Sequence, residues 1–297
     1  MDQANNLRDL VRTQTETKTE TQKPEPKPSI TSRVIAVTSG KGGVGKTNFT
    51  INLAINLSRQ NKRVVILDTD FGLANIEVLL GIIPKFNFGD VLDDKITIEE
   101  ALTNGPSGIK FLSGGSGLSS LADINESQMT RLLDSFTFLD SISDYILIDT
   151  GAGISKSVIN FVKASNETII VTTPEPTSIT DAYAIIKTLK EENSQMPEFK
   201  IVVNKVDDYK EGAEIFDKLS KVADKFLGVK LQSLGTISHD NYLVRAVKMQ
   251  QPVTICFPNA ESAKSIESIS LRLLNMESRS KDGIMSFMKR LVNIFNN

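Results

Sequence analysis

The sequence predicts an α/β fold: a mostly parallel β-sheet with helices on both faces. Three observations carry this. Six short runs rich in β-branched and aliphatic residues recur between Arg33 and Val203, with segments of helical period between them. The runs are nearly continuous in apolar character rather than alternating, which marks strands covered on both sides and hence a parallel sheet between helical layers. The first run leads into a glycine-rich loop followed at once by a helical segment. Ligands of such sheets sit at the carboxyl ends of the strands, so the polar residues just after each run are the ones to inspect.

Residues 1–32 come first and form a flexible N-terminal extension. Thr13 to Ser29 is almost wholly Thr, Gln, Lys, Glu and Pro. That composition cannot bury enough apolar surface to offset chain entropy. The stretch reads as a linker tethering residues 2–12 to the domain. The domain spans residues 33–276. Its candidate strands are Val34–Thr38, Val64–Leu67, Ile109–Leu112, Tyr145–Ile148, Thr168–Thr172 and Lys200–Val203, and a helix is predicted from Asn48 to Gln60. Residues 281–297 close the chain as an amphipathic helix. Ile284, Phe287, Met288, Leu291 and Phe295 share one face, with Lys281, Lys289 and Arg290 among them.

Composition narrows the class. The 297 residues carry 34 basic and 36 acidic side chains, a net charge of −2, where a nucleic-acid binder is usually strongly basic, so no nucleic-acid partner is expected. The single cysteine, Cys256, rules out an intramolecular disulfide and a multi-cysteine metal site within one chain. It lies in an apolar run and reads as a small core residue. The N-terminus lacks an apolar signal region, and no stretch reaches the ~20 apolar residues of a membrane span. The expectation is a cytoplasmic protein.

Gly40-Lys41-Gly42-Gly43-Val44-Gly45-Lys46-Thr47 fits G-x-x-x-x-G-K-[ST], after a strand and before a helix, the context that pattern requires. Glycines let successive N–H groups turn toward phosphate, and the helix N-terminus adds partial positive charge. Lys46 is expected on the β- and γ-phosphates and Thr47 on Mg2+; Asn48, opening the helix, joins the nucleotide-binding set. Two acidic segments also follow strands: Asp68-Thr69-Asp70 and Asp149-Thr150-Gly151. Taken alone, an aspartate after a strand is often only a helix cap.

Lys41 adds a second lysine that cradling phosphate does not need. With it the loop resembles the deviant Walker A class, the MinD/ParA ATPases within the SIMIBI branch of P-loop NTPases. The resemblance implies ATP/ADP and Mg2+ as cofactors and a homodimer in the ATP state. It implies that Lys41 reaches the partner's nucleotide and stabilises transition-state charge in trans, as an arginine finger does. It also implies that Asp149 holds Mg2+ through water, that Asp68 supports the Mg2+ shell and that Asp70 orients the attacking water. Gly151 then lets the backbone approach the γ-phosphate.

Asn204-Lys205-Val206-Asp207 leaves the base open at this point. It spells the N-K-x-D pattern by which GTPases read guanine. Deviant Walker A ATPases also place an asparagine here, followed by a basic residue, and its amide pairs with adenine. Asp207 is alternatively only a helix cap. The Lys41 signature favours ATP.

The first residues, Asp2-Gln3-Ala4-Asn5-Asn6-Leu7-Arg8, resemble the D-Q-A-x-x-L-R motif of the FlhG family, MinD-like regulators of flagellar number. That family's motif activates FlhF, a signal-recognition-type GTPase, and its other partners are flagellar C-ring components. The last segment is similar to the membrane-targeting helix of MinD-type proteins and implies peripheral attachment to anionic lipid in the ATP-bound dimer. Alternatively, that helix packs on the domain or on a partner. The whole reads as a membrane-associated ATPase that regulates flagellar number. Alternatives are a MinD-type division-site ATPase, or a nucleotide-gated adaptor for which hydrolysis is a slow reset.

Overall fold

The computed structural model describes residues 31–70, 75–114, 126–192, 196–276 and 283–295. Asp2, Gln3, Ala4, Leu7 and Arg8, the expected partner motif, lie outside the described residues.

The six predicted runs all form strands: β1 (Arg33–Ser39), β2 (Val64–Thr69), β4 (Lys110–Leu112), β5 (Tyr145–Ala152), β6 (Glu167–Thr172) and β7 (Glu198–Val206). Two more join them, the two-residue β3 (Thr103–Asn104) and β8 (Leu231–Ser238). The sheet order is β3-β4-β2-β5-β1-β6-β7-β8, parallel throughout except for the β3/β4 pair. The order reverses around β1, where the chain crosses from the β2 side to the β6 side, and such a point opens a crevice at the strands' carboxyl ends.

Seven helices of nine residues or more are present among the described residues: α1 (Lys46–Arg59), α2 (Glu126–Ile142), α3 (Lys156–Ala164), α4 (Pro176–Glu191), α5 (Tyr209–Leu227), α6 (Glu261–Asn275) and α7 (Ile284–Phe295). Alternate strand residues feed opposite cores. Ile35, Val37, Ile66 and Leu147 meet α1 and α6 through Leu53, Leu57, Ile266 and Leu273. Val34, Val65, Ile146 and Ile148 meet the other face, with Phe136, Leu139 and Phe161. Farther along that face, Ile170, Ile201 and Val203 pack under α4 and α5. Covering on both sides accounts for the unbroken apolar runs.

At the amino-terminal edge of the sheet three charges are buried together. Arg33 grips Glu167 with two bonds of 2.7 Å, and the fully buried Lys200 adds a third at 2.6 Å. Burial by itself pushes the Glu167 carboxyl up, but the Arg33 hydrogen bonds and the two cationic charges outweigh it and hold it at about 2. Arg33 also donates to the Leu273 and Met276 carbonyls, tying down the end of α6.

α7 packs against α2 and α3. Ile284, Phe287, Met288 and Leu291, the residues given to lipid by the sequence, are buried in this structure, and Phe287 stacks on Phe161 at 6.4 Å. Arg290 turns inward as well, donating to the Ala164 carbonyl at 2.8 Å. The Phe295 side chain lies outside the described residues. The same apolar face suits a groove between helices as well as a bilayer, and here it occupies the groove. A small apolar cavity under this helix is lined by Phe287, Met288 and Leu291 on one side and by Leu67 and Asp68 on the other. Asp140 on α2 seats the first turn: its Oδ1 accepts from the Ile284 N–H at 3.2 Å. The same oxygen accepts from the Ser32 N–H at 3.1 Å and from the Ser32 hydroxyl.

Candidate functional site

The phosphate loop joins β1 to α1, which begins at Lys46 rather than at Asn48. Gly45 sits at φ +92°, a left-handed conformation that disfavours any side chain, and a Cβ there would lie 2.5 Å from Asn204 Nδ2. Gly40 is pressed against helix α4, where a Cβ would come within 2.3 Å of the Asp181 backbone. Both glycines are dictated by close approach.

Three donors meet on one carboxylate beneath the loop. Asp149 is fully buried at the end of β5. Lys46 Nζ lies 2.9 Å from its Oδ1 and the Thr47 hydroxyl 2.7 Å from its Oδ2. Thr50, one helical turn beyond Lys46, brings its hydroxyl to 2.8 Å from Oδ1. The two side chains assigned to phosphate and cation are thus both held by one aspartate.

Two further carboxylates close the group. Asp68 is the in-register neighbour of Asp149 across β2 and β5. Burial, reinforced by the Asp149 charge, raises the Asp68 carboxyl to about 7. The Asp70 N–H donates to Asp68 at 3.0 Å. Asp70 itself is half-buried and accepts from the Asn75 amide at 3.0 Å. Burial raises its carboxyl too, with Lys46 opposing. Gly151 leaves room beside it, since a Cβ there would stand 3.4 Å from Asp70 Oδ1. Lys46, Thr47, Asp68, Asp70, Asp149 and Gly151 are therefore one constellation.

Lys41 lies outside it. Its ammonium is 2.6 Å from Glu175 and 3.2 Å from the Thr177 hydroxyl at the start of α4. The hydrogen bond from Lys41 holds the exposed Glu175 carboxyl below its usual range. Asn204 is buried under the loop, where its Nδ2 donates to the Val44 carbonyl at 2.7 Å and its Oδ1 accepts from the Lys205 N–H at 2.8 Å. Its amide braces the loop. The helix cap in this segment is Asp208, which accepts from the Glu211 N–H; Asp207 donates its own N–H to the Glu211 carboxylate.

The ParA family profile, described as NUBPL iron-transfer P-loop NTPase, matches residues 30–274. The chain belongs to the ParA/MinD family of P-loop ATPases. Within it, the chain groups with FleN and YlxH. It is 38% identical to the antiactivator FleN of Pseudomonas aeruginosa, over 88% of this chain and 93% of that one. It is 35% identical to the flagellum site-determining protein YlxH of Helicobacter pylori, over 88% and 90%. Among solved structures it resembles MinD in the MinC:MinD cell division complex of Aquifex aeolicus, with a TM-score of 0.64 and 27% identity, over 85% of this chain and 100% of that one. The ParA/MinD match takes in the phosphate loop, both aspartate segments and Asn204, and stops short of α7.

Two site residues of this ParA/MinD-family chain escape sequence reading, Thr50 and Glu175, and Lys205 is read only as part of the Asn204–Asp207 segment, without its contact to the loop. Thr50 carried a usable signal, since positions 46, 47 and 50 share one face of a helix. Glu175 and Lys205 meet the loop only through the folding of distant strands. No helix among the described residues is long and apolar enough to cross a membrane.

Proposed function

We propose that this protein is an ATP-driven switch that sets flagellar number. One observation carries the nucleotide reading: Lys46 and Thr47 converge on the buried Asp149 directly beneath a phosphate loop. The similarity to FleN and YlxH supports the flagellar part.

The donors suit Mg2+ arriving with the nucleotide. Thr47 offers a hydroxyl and Asp149 a carboxylate, both hard oxygen ligands 2.7 Å apart. No group of three or more acidic, histidine or cysteine side chains forms a ready metal cage among the described residues. Mg2+ is typically held by one or two protein oxygens plus phosphate and water. When bound, it neutralises charge on the phosphate oxygens. Lys46 leaves Asp149 for the β- and γ-phosphates, and the loop N–H groups take the remaining oxygens. Asp70, oriented by Asn75, positions the attacking water. Asp68 supports Asp149 from the neighbouring strand. Phosphoryl transfer needs chiefly such positioning and charge neutralisation.

Lys41 acts in a second subunit. Its side chain is partly exposed and, among the described residues, is bound to a surface glutamate and threonine that it can exchange for a partner's nucleotide. ATP then joins two subunits, and α7 must leave its groove for its apolar face to reach lipid. Two such helices on one dimer bind a surface far better than one, by up to ~10²–10⁴. Residues 2–8 stimulate the signal-recognition-type GTPase FlhF, and C-ring components are further partners.

Sedimentation with a slowly hydrolysed ATP analogue tests the switch, and wild type should dimerise; in a separate turnover assay with ATP, Lys41→Ala should lose the cooperative rise of cleavage with protein concentration. Deletion of residues 2–8 should abolish FlhF stimulation while ATP turnover persists; unchanged stimulation defeats the flagellar reading. Liposome flotation with and without residues 281–297 tests attachment.

A further inference from the structure

The end of β7 grips the phosphate loop from outside, and one of its residues pays a backbone cost to do so. Lys205 sits at φ +59°, a left-handed conformation unusual for a long side chain. The β7/β8 register shifts between Asn204 and Val206, so the strand kinks around this residue. Glycine would take the kink without strain. What lysine supplies is its ammonium, which donates to the Gly43 carbonyl at 2.9 Å. Next door, Asn204 Nδ2 donates to the Val44 carbonyl at 2.7 Å. Two successive loop carbonyls are therefore drawn to the same side.

In a trans peptide the C=O and the following N–H point in opposite directions. Turning the Gly43 and Val44 carbonyls toward β7 turns the Val44 and Gly45 N–H groups away from it. Two consecutive N–H groups aimed alike make an anion-binding nest, with the left-handed Gly43 and Gly45 allowing the bend. We propose that Lys205 is a positioning residue that pre-sets this nest for the nucleotide's phosphates. The idea rests on the nucleotide-binding reading above and extends it to a residue that touches no phosphate.

Lys205 acts on the loop, and so on phosphate rather than on the base. Its ammonium is exposed, and an exposed bond of this kind adds little to fold stability. The prediction is a loss of affinity without a loss of stability. The experiment is a fluorescence titration with a labelled ATP and a labelled GTP, each with Mg2+, on the full chain. Lys205→Met keeps the stem and should weaken both nucleotides by the same factor, about 3–10-fold. Lys205→Gly, which relieves the strain, should weaken them as much, while Lys205→Arg should recover most of the affinity. In turnover the effect should fall mainly on KM. The urea midpoint of the nucleotide-free Lys205→Met protein should match wild type.

Wild-type affinity in Lys205→Met or in Lys205→Gly overturns the proposal. So does a loss confined to one base, which would make Lys205 a base reader. So does a lowered urea midpoint large enough to account for the weaker binding. Absence of nucleotide binding by the wild type would instead sink the reading beneath it, so the two failures are distinguishable.

Discussion

Replacing Thr50 by valine removes one hydroxyl from the wall of the nucleotide site and keeps the side chain's branching. In the present structure Asp149 accepts from Lys46, Thr47 and Thr50, so the change takes one of three donors from a fully buried carboxylate. A hydrogen bond to a charged group is worth about 1.5–3 kcal/mol. Without nucleotide, Lys46 and Thr47 remain on Asp149, and unfolding in urea should show a loss toward the low end of that range. On the proposed function, bound nucleotide draws Lys46 to phosphate and Thr47 to the cation. Thr50 is then the donor that keeps the carboxylate aimed. Removing a residue that orients a ligating carboxylate typically costs about 10–100-fold in metal affinity. The half-saturating Mg2+ concentration for ATP turnover should rise by that factor in Thr50→Val and return in Thr50→Ser. If urea stability falls while the Mg2+ dependence stays at the wild-type value, Thr50 is a fold residue only and this reasoning is refuted.

Other changes test separate parts of the structure. Asp68 has a folded value near 7 against an ordinary 3.8, so the folded state holds a proton that the unfolded chain has released between those values. Stability should therefore fall as pH rises from about 4 to 7, by at most about 1.4 kcal/mol per pH unit. Asp68→Asn, measured by urea unfolding without nucleotide or divalent cation, should lose that slope and be the more stable protein at pH 8. Glu167→Gln removes the charge that Arg33 and Lys200 share, leaving Lys200 with the longer 3.3 Å pair to Glu198 and Arg33 with two carbonyls, and should cost about 3–5 kcal/mol in the same assay, whereas Lys200→Met leaves the two-bond Arg33–Glu167 pair and should cost less than half of that. A Glu167→Gln loss under about 1 kcal/mol would contradict the buried-network account. Gly45→Ala, which drives a methyl to 2.5 Å from Asn204, should abolish tight binding of labelled ATP; binding at wild-type affinity would mean that the loop does not need its left-handed residue.

Much of this was legible because parallel sheets write themselves as apolar runs. β1, β2, β4, β5, β6 and β7 were all readable; Asp68 and Asp149 stand directly after such runs, and Lys46 and Thr47 close the glycine-rich loop that follows another. β8 was not. It is an edge strand whose buried residues fall at Leu231, Leu234 and Ile237, a spacing of three set by a register shift near Gly235, so neither strand period shows. The contacts of Lys205 and Glu175 with the loop were illegible for another reason. Their partners Gly43 and Lys41 lie more than 130 positions away, and only packing of β6, β7 and α4 around the loop brings them together. The case of α7 differs again. Its apolar face was plain in the sequence, but a face says what it avoids, not which apolar surface it meets.

Asp140 holds Ser32 and Ile284 on a single carboxylate oxygen. The lead-in to β1 and the first turn of α7 therefore meet at one side chain. Whatever loosens Ser32 alters the seat of Ile284, and reciprocity requires the reverse to be equally true. A change at Asp140 therefore acts on two places at once, because the lead-in to β1 and the first turn of α7 share one acceptor.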